Sequence, residues 1–211
     1  MYGINTEPPQ IMHIDLNSAF ATTEQQAQPS LRGRPIGVTN CISPHCCMIA
    51  ALYEAKALGI RVGMRLDEAK AICPDFIMLE TDPAKYHYVY QKLAAIMKDY
   101  SPDITMKSID EGIIDFHGTL GTIHTRPLVD MGRDIKQRMR DEVGKWMRVN
   151  IGIGTNRFLA KQAAGLHKPD GLDVIDHTNL IGNYSGTYVV ALMFAEHNML
   201  CFKTNHRRIR S

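Results

Sequence analysis

Two stretches of the sequence decide the fold: IMHID, residues 11–15, and SIDEG, residues 108–112. The first is a short apolar run that ends at Asp15, and it predicts a buried strand. The second places two acids and a glycine between apolar residues, and it predicts a hairpin with strands at 104–109 and 113–116. We expect this hairpin to pair beside the first strand, which brings Asp15 near the acids of the turn.

The order of the other elements predicts an α+β fold. With residues 31–81 set aside as a small inserted module, the order is strand, helix, helix, two strands, helix, strand, helix, which is the ferredoxin-like, split βαβ pattern. Apolar periodicity and capping residues predict helices at about 17–28, 53–58, 66–72, 82–100, 128–146 and 155–167, and strands at 36–42, 46–51 and 149–153.

The candidate catalytic acids are Asp15, Asp110 and Glu111. Three neighbouring carboxylates repel one another, and cations that prefer oxygen ligands, such as Mg²⁺, would neutralise them. Two Mg²⁺ ions held by carboxylates form the usual site for in-line phosphoryl transfer. The alternative is structural, with Asp15 as a helix cap and the other two acids as turn residues. Adjacent strand residues point to opposite faces, so both hairpin acids reach one site only if the turn or a bulge redirects one.

The composition is that of a globular protein, with 45% apolar and 22% charged residues among 211. No run approaches the roughly 18 apolar residues that span a bilayer. The N-terminus does not resemble a signal peptide, so the cytoplasm is the expected location. The net charge is +2, but without the tail cations Lys203, Arg207, Arg208 and Arg210 the charge of residues 1–202 is −2. The body therefore lacks the basic excess typical of a complete nucleic-acid-binding protein.

The five cysteines are irregularly spaced, and Cys46 is adjacent to Cys47. This spacing fits neither a disulfide framework nor a zinc ribbon. We expect reduced thiols, and a metal site that includes His45 is the alternative.

Four motifs resemble those of the Y-family (UmuC/DinB-like, translesion) DNA polymerases, and they occur in that family's order. They are HIDLNSAFA at 13–21, YEAKALGI at 53–60, SIDEG at 108–112, and a closing motif of GIG at 152–154, LAK at 159–161 and KPDG at 168–171. The resemblance implies a polymerase palm at 1–30 and 82–175 and a fingers module at 31–81. It leaves 176–211 as a truncated or atypical basic tail, with the thumb and little finger absent.

The resemblance also implies a role for individual residues. Asp15, Asp110 and Glu111 would bind two Mg²⁺ ions together with the backbone carbonyl of Leu16. Phe20 would be the steric gate that excludes a ribose 2′-OH, and Tyr53, Lys56 and Lys168 would contact the incoming triphosphate. The implied reaction is attack of a primer 3′-OH on a dNTP. The implied partners are primer–template DNA, dNTPs and a sliding clamp that binds through regions outside these 211 residues.

Three positions depart from the family pattern. Lys56 stands where arginine is usual, and it keeps the charge without the bidentate fork. Gly112 replaces an alanine, and we expect it to loosen the turn after the acids. Ser18 and Ala19 replace a bulkier pair beside the gate.

Two other functions stay open. A non-catalytic DNA-repair subunit would keep the palm as an interaction module, and a nucleotide cyclase would carry a glycine-rich, doubly acidic hairpin in place of residues 108–112. The intact acids favour the polymerase. Because residues 1–202 carry a net −2, we expect this chain alone to bind DNA weakly and to extend primers poorly.

Overall fold

The computed structural model describes residues 5–43, 45–119 and 125–179. The tail predicted at 176–211 lies outside the described residues from residue 180 onward. The described elements are β1 (Ile11–Leu16), α1 (Ala19–Ala27), β2 (Ile36–Thr39), β3 (Met48–Ala51), α2 (Tyr53–Ala57), α3 (Leu66–Ile72), β4 (Ile77–Glu80), α4 (Pro83–Lys98), β5 (Ile104–Met106), β6 (Glu111–Asp115), α5 (Leu128–Glu142), β7 (Val149–Gly154), α6 (Arg157–Leu166) and β8 (Leu172–Ile175), with a 3-10 turn at Pro29–Leu31.

The larger sheet has five strands in the order β5-β6-β1-β7-β8. Its central strand, β1, is antiparallel to both β6 and β7, whereas β7 and β8 are parallel and are joined through α6. Alternation along β1 sends Met12, Ile14 and Leu16 to one face of the sheet, where they join a core built with α4 and α5. Ile11 lies on the other face with Ala160 of α6. The predicted α+β class is confirmed.

The smaller sheet has three strands in the order β3-β2-β4 and lies within residues 36–80. Its strands β2 and β4 are parallel, whereas β2 and β3 are antiparallel. The prediction for this module missed β4, and it likewise missed β8 in the larger sheet. Both strands are only four residues long, so neither shows enough alternation to be recognised by periodicity.

The hairpin differs from the prediction in one respect that matters for the site. Glu111 and Gly112 belong to β6, so they are not turn residues. Gly112 pairs with Ile14, and an added Cβ would meet the ends of Met97 and Met106. Gly112 therefore leaves space for two methionines to pack against the strand, and the prediction that it loosens the turn is wrong.

A buried ion pair joins the first helix to the fourth. Glu24 is 2% exposed, and its carboxylate accepts from Lys85 Nζ at 2.8 Å and from the Tyr86 hydroxyl at 2.9 Å. A buried carboxylate needs such partners, because an unpaired charge in the interior is strongly destabilising. The pair holds α1, which carries Phe20, against α4.

Cys41 and Cys46 form a disulfide in the structure. The expectation of reduced thiols is therefore wrong for this pair. Cys47 and Cys73 are free. The bridge closes the loop between β2 and β3. The sequence spacing did not show that Cys41 and Cys46 lie close together.

In the part of the chain that the structure describes, no helix is both long and apolar enough to cross a bilayer.

The position of α6 depends on glycine in β7. A Cβ added to Gly152 would overlap the Ala160 carbonyl and the Ala164 nitrogen, which are backbone atoms of α6. Only a glycine lets the helix lie this close to the strand. The close approach lets Lys161 of α6 reach Glu111, which lies beside Asp15.

We expect Gly152→Ala to destabilise the protein by about 1–3 kcal/mol or more, because backbone atoms cannot yield to the added methyl group as a flexible side chain would. The matched control is Gly165→Ala, an exposed position in α6 where nothing lies within 4 Å of the added Cβ. This control should stabilise the helix by about 0.5–1 kcal/mol. Urea unfolding of both variants measures the difference, and equal effects would contradict the packing argument.

Candidate active site

The site is built on the pairing of β1 with β6. Asp15 lies directly opposite Glu111 in the antiparallel register. Directly opposed residues of neighbouring strands project from the same face of a sheet, so the two carboxylates lie side by side. Their side chains are each 21% exposed. Two acids held this close repel unless a cation lies between or beside them.

His13 belongs to the same cluster. It precedes Asp15 by two residues on β1 and so points to the same face. Ligand atoms of His13, Asp15 and Glu111 all lie within 4.8 Å of one another, and His13 Nε2 is 3.5 Å from Glu111 Oε2. Burial lowers the pKa of His13, with Glu111 opposing that shift and Lys161 adding to it.

Asp110 makes different contacts from the other two acids. It precedes β6, its backbone carbonyl accepts from Leu16 N at 2.9 Å, and its carboxylate accepts from the Ser108 hydroxyl at 2.5 Å. Its main chain therefore lies beside the end of β1. The carboxylate of Asp110 is not among the three groups that cluster within 4.8 Å in the described residues.

Two lysines supply the positive charge of the site. Lys161, on α6, bonds both oxygens of Glu111 at 2.9 and 3.1 Å, and Lys168 bonds Asp15 at 2.5 Å. Burial raises the pKa of Glu111, but the hydrogen bond and charge of Lys161 outweigh it, so the pKa lies below its ordinary value. The Glu111 carboxylate is thus held ionised, which is the form that binds a cation.

Buried polar contacts hold the loop that carries Lys168. Asn150, fully buried in β7, donates to Asn17 and accepts from Gly171 N at 3.1 Å. On the other side of the loop, Asp170 pairs with Arg140 of α5. These contacts tie the loop to the end of β1, opposite Asp15.

Phe20 lies next to the acid cluster in the sequence and packs on α4. Its ring centroid is 4.6 Å from that of Tyr86. The hydroxyl of Tyr86 donates to the buried carboxylate of Glu24, so the ring on which Phe20 packs is itself hydrogen-bonded in the interior.

Tyr53 and Lys56 approach from α2. Lys56 Nζ lies 4.5 Å from the Tyr53 ring centroid and donates to Ser18 Oγ at 2.8 Å. Burial and then the charge of Lys168 lower the pKa of Lys56, while Asp15 opposes them. Burial and then Asp15 raise the pKa of Tyr53. The charge of Asp15 thus acts on both Tyr53 and Lys56, whereas Lys168 contacts Asp15 directly.

The sequence analysis assigned no role to His13, Lys161 or Asn150. The spacing of His13 from Asp15 was a usable signal, because residues two apart on a strand share a face. Lys161 and Asn150 gave no such signal, because their positions depend on how α6 and β7 pack.

Solved structures of Y-family polymerases share this architecture. A Y-family DNA polymerase chimera superposes with a TM-score of 0.73 at 25% identity, covering 84% of this chain and 54% of that chain. DinB from Sulfolobus solfataricus superposes with a TM-score of 0.72 at 26% identity, covering 86% of this chain and 55% of that one. The fold class is therefore that of the Y-family polymerases, as the sequence motifs predicted.

The sequence profile of the impB/mucB/samB family matches residues 14–165. The chain belongs to this family. DNA polymerase IV of Moorella thermoacetica is 38% identical over 174 residues, which is 82% of this chain and 42% of that relative. The chain thus spans less than half the length of this curated relative.

We expect Lys161→Met to raise the pKa of Glu111. A depressed carboxyl pKa stabilises the fold above the unfolded-state value of about 4.3, and this contribution disappears as pH falls through the folded-state value. The variant should therefore lose stability at neutral pH and match the wild type in strong acid. The loss should stay below about 1 kcal/mol, because the Lys161 side chain is 58% exposed.

Urea unfolding across pH and an NMR titration of the Glu111 carboxyl carbon measure these changes. Lys145→Met, at an exposed lysine outside the site, is the control. A stability loss that is the same at every pH would contradict the assigned ion pair.

Proposed function

We propose that this chain is the palm and fingers part of a translesion DNA polymerase. In this function a primer 3′-OH attacks the α-phosphate of a dNTP and releases pyrophosphate. The observation that carries the proposal is the cross-strand pair of Asp15 and Glu111 at the end of β1, where Lys161 of α6 and Lys168 of the following loop contact them. The name of the curated relative, DNA polymerase IV, supports the same reaction.

The residues fit a divalent metal. Two partly exposed carboxylates lie beside each other, and a buried imidazole without a hydrogen-bond partner faces them. We assign two Mg²⁺ ions to Asp15, Asp110 and Glu111, with the carbonyl of Leu16 as a further ligand. The ions would neutralise charge on the reacting phosphates. Asp110 is included because its backbone carbonyl accepts a hydrogen bond from Leu16 N, which places its main chain beside the end of β1.

The remaining residues would bind and align the substrates. Lys168 contacts Asp15, and Lys56 lies against Tyr53 on α2. These three residues would contact the triphosphate, whose negative charge matches the two ammonium groups. Phe20 rests on Tyr86 and would occupy the volume that a 2′-OH needs. The residues need only align the reactants and stabilise charge, because phosphoryl transfer of this kind requires no covalent intermediate.

We also assign residues 1–30 and 82–175 to the palm and 31–81 to the fingers. The three-stranded sheet and helices α2 and α3 all lie within the fingers range, which supports this division. Primer–template DNA and dNTPs are the proposed substrates, and a sliding clamp is a proposed partner of the whole protein.

The test of this function is single-turnover primer extension with excess protein, Mg²⁺ and dNTPs on undamaged and lesion-bearing templates. Asp15→Asn should reduce extension by more than about 100-fold, since even groups that only support metal ligands contribute about 10–100-fold. Asp75→Asn, at an exposed acid outside the site, should leave it unchanged. A non-catalytic repair subunit would show no extension that depends on Asp15.

Substitution of Phe20 tests the sugar gate. Phe20→Ala should lower the preference for dNTPs over rNTPs by about tenfold or more, because loss of a well-placed apolar contact changes discrimination by about 10–200-fold. The measurement is the ratio of single-turnover incorporation for the two sugars. Phe158→Ala removes a partly buried ring from α6 and should leave the ratio unchanged. An unaltered ratio for Phe20→Ala would mean that the ring serves only packing.

A further inference from the structure

His13 is a buried imidazole that the proposed function leaves without a role. Its relative exposure is 1%. Neither Nδ1 nor Nε2 has a hydrogen-bond partner among the described residues. Buried polar groups nearly always have a partner, so an unpartnered ring indicates that something outside the chain completes the contact.

The ring faces the carboxylates. His13 and Asp15 share one face of β1, and Glu111 is the cross-strand partner of Asp15. One ligand atom from each residue lies within 4.8 Å of the others. The 3.5 Å from His13 Nε2 to Glu111 Oε2 is too long for a good hydrogen bond. It is a spacing that two ligands of one ion can have, because each ligand lies about 2 Å from the metal.

We propose that His13 is a protein ligand that gives this site a preference for Mn²⁺ over Mg²⁺. Mg²⁺ prefers oxygen ligands, whereas first-row transition metals accept imidazole nitrogen together with carboxylates. An imidazole added to the carboxylates of this site therefore favours a transition metal over Mg²⁺. The proposal rests on the proposed metal site at Asp15 and Glu111, and it adds a ligand and a metal preference to that site.

Mn²⁺ bound to the full 211-residue chain supplies a direct test without DNA or nucleotide. Electron spin echo modulation detects a nitrogen bonded to Mn²⁺, and the wild-type protein should show the ¹⁴N modulation of a coordinated imidazole. This measurement on the wild type does not depend on whether any variant folds. Absence of the modulation from bound Mn²⁺ would overturn the inference and leave the carboxylate site intact.

Affinity measurements separate ligation from a supporting role. His13→Gln should weaken Mn²⁺ binding by tenfold or more and change Mg²⁺ binding by less than threefold, as measured by the free Mn²⁺ signal and by Mg²⁺ competition. If His13 only positioned Glu111, both metals would weaken by the same factor, and the inference would fail. His117→Gln, at an exposed histidine paired with Asp115, is the matched control and should change neither affinity.

Asp15→Asn distinguishes this inference from the function beneath it. If Mn²⁺ binding is lost in Asp15→Asn and the wild type shows the nitrogen signal, the results support both the metal site of the proposed function and the ligand role of His13. If Mn²⁺ binds with the same affinity in Asp15→Asn as in the wild type, the metal site itself is misplaced, and the proposed function fails with the inference.

Discussion

The close contact between α6 and β7 is the constraint on which the site depends. A side chain at Gly152 would collide with the backbone of the helix, so the glycine sets how near α6 can lie to the sheet. That distance decides whether Lys161 reaches Glu111 and whether the loop after α6 brings Lys168 to Asp15. The packing of two apolar surfaces therefore determines which charged side chains meet at the end of β1.

Charge repulsion explains why lysine side chains accompany the acids at the end of β1. Asp15 and Glu111 are paired by the sheet register, and their repulsion would oppose folding if nothing balanced it. Lys161 and Lys168 provide that balance within the chain. The same acids fit divalent metal, so the two lysines and the metal act on the same carboxylates. Lys168 bonds Asp15 in this structure, and under the proposed function it would also contact the triphosphate.

Particular elements show where sequence reasoning succeeded and where it stopped. The strand at IMHID and the helices that begin near residues 82 and 155 were all predicted, because they depend on local patterns and local hydrogen bonds. The short strands β4 and β8 were missed, because their sheet partners come from elsewhere in the chain. Gly112 was misread for a similar reason. The side chains that pack beside it, Met97 of α4 and Met106 of β5, cannot be identified from the sequence of the turn.

The sequence by itself determined the α+β class and the order of the motifs, because apolar periodicity and residue type encode these directly. Only the tertiary structure decided that Glu111 is a strand residue opposite Asp15, that the Asp110 carboxylate bonds Ser108, and that His13 faces the acids without a hydrogen-bond partner among the described residues. The physical reason is that strand register and helix packing bring together groups far apart in the chain. Their charges and hydrogen bonds depend on distances that no local pattern contains.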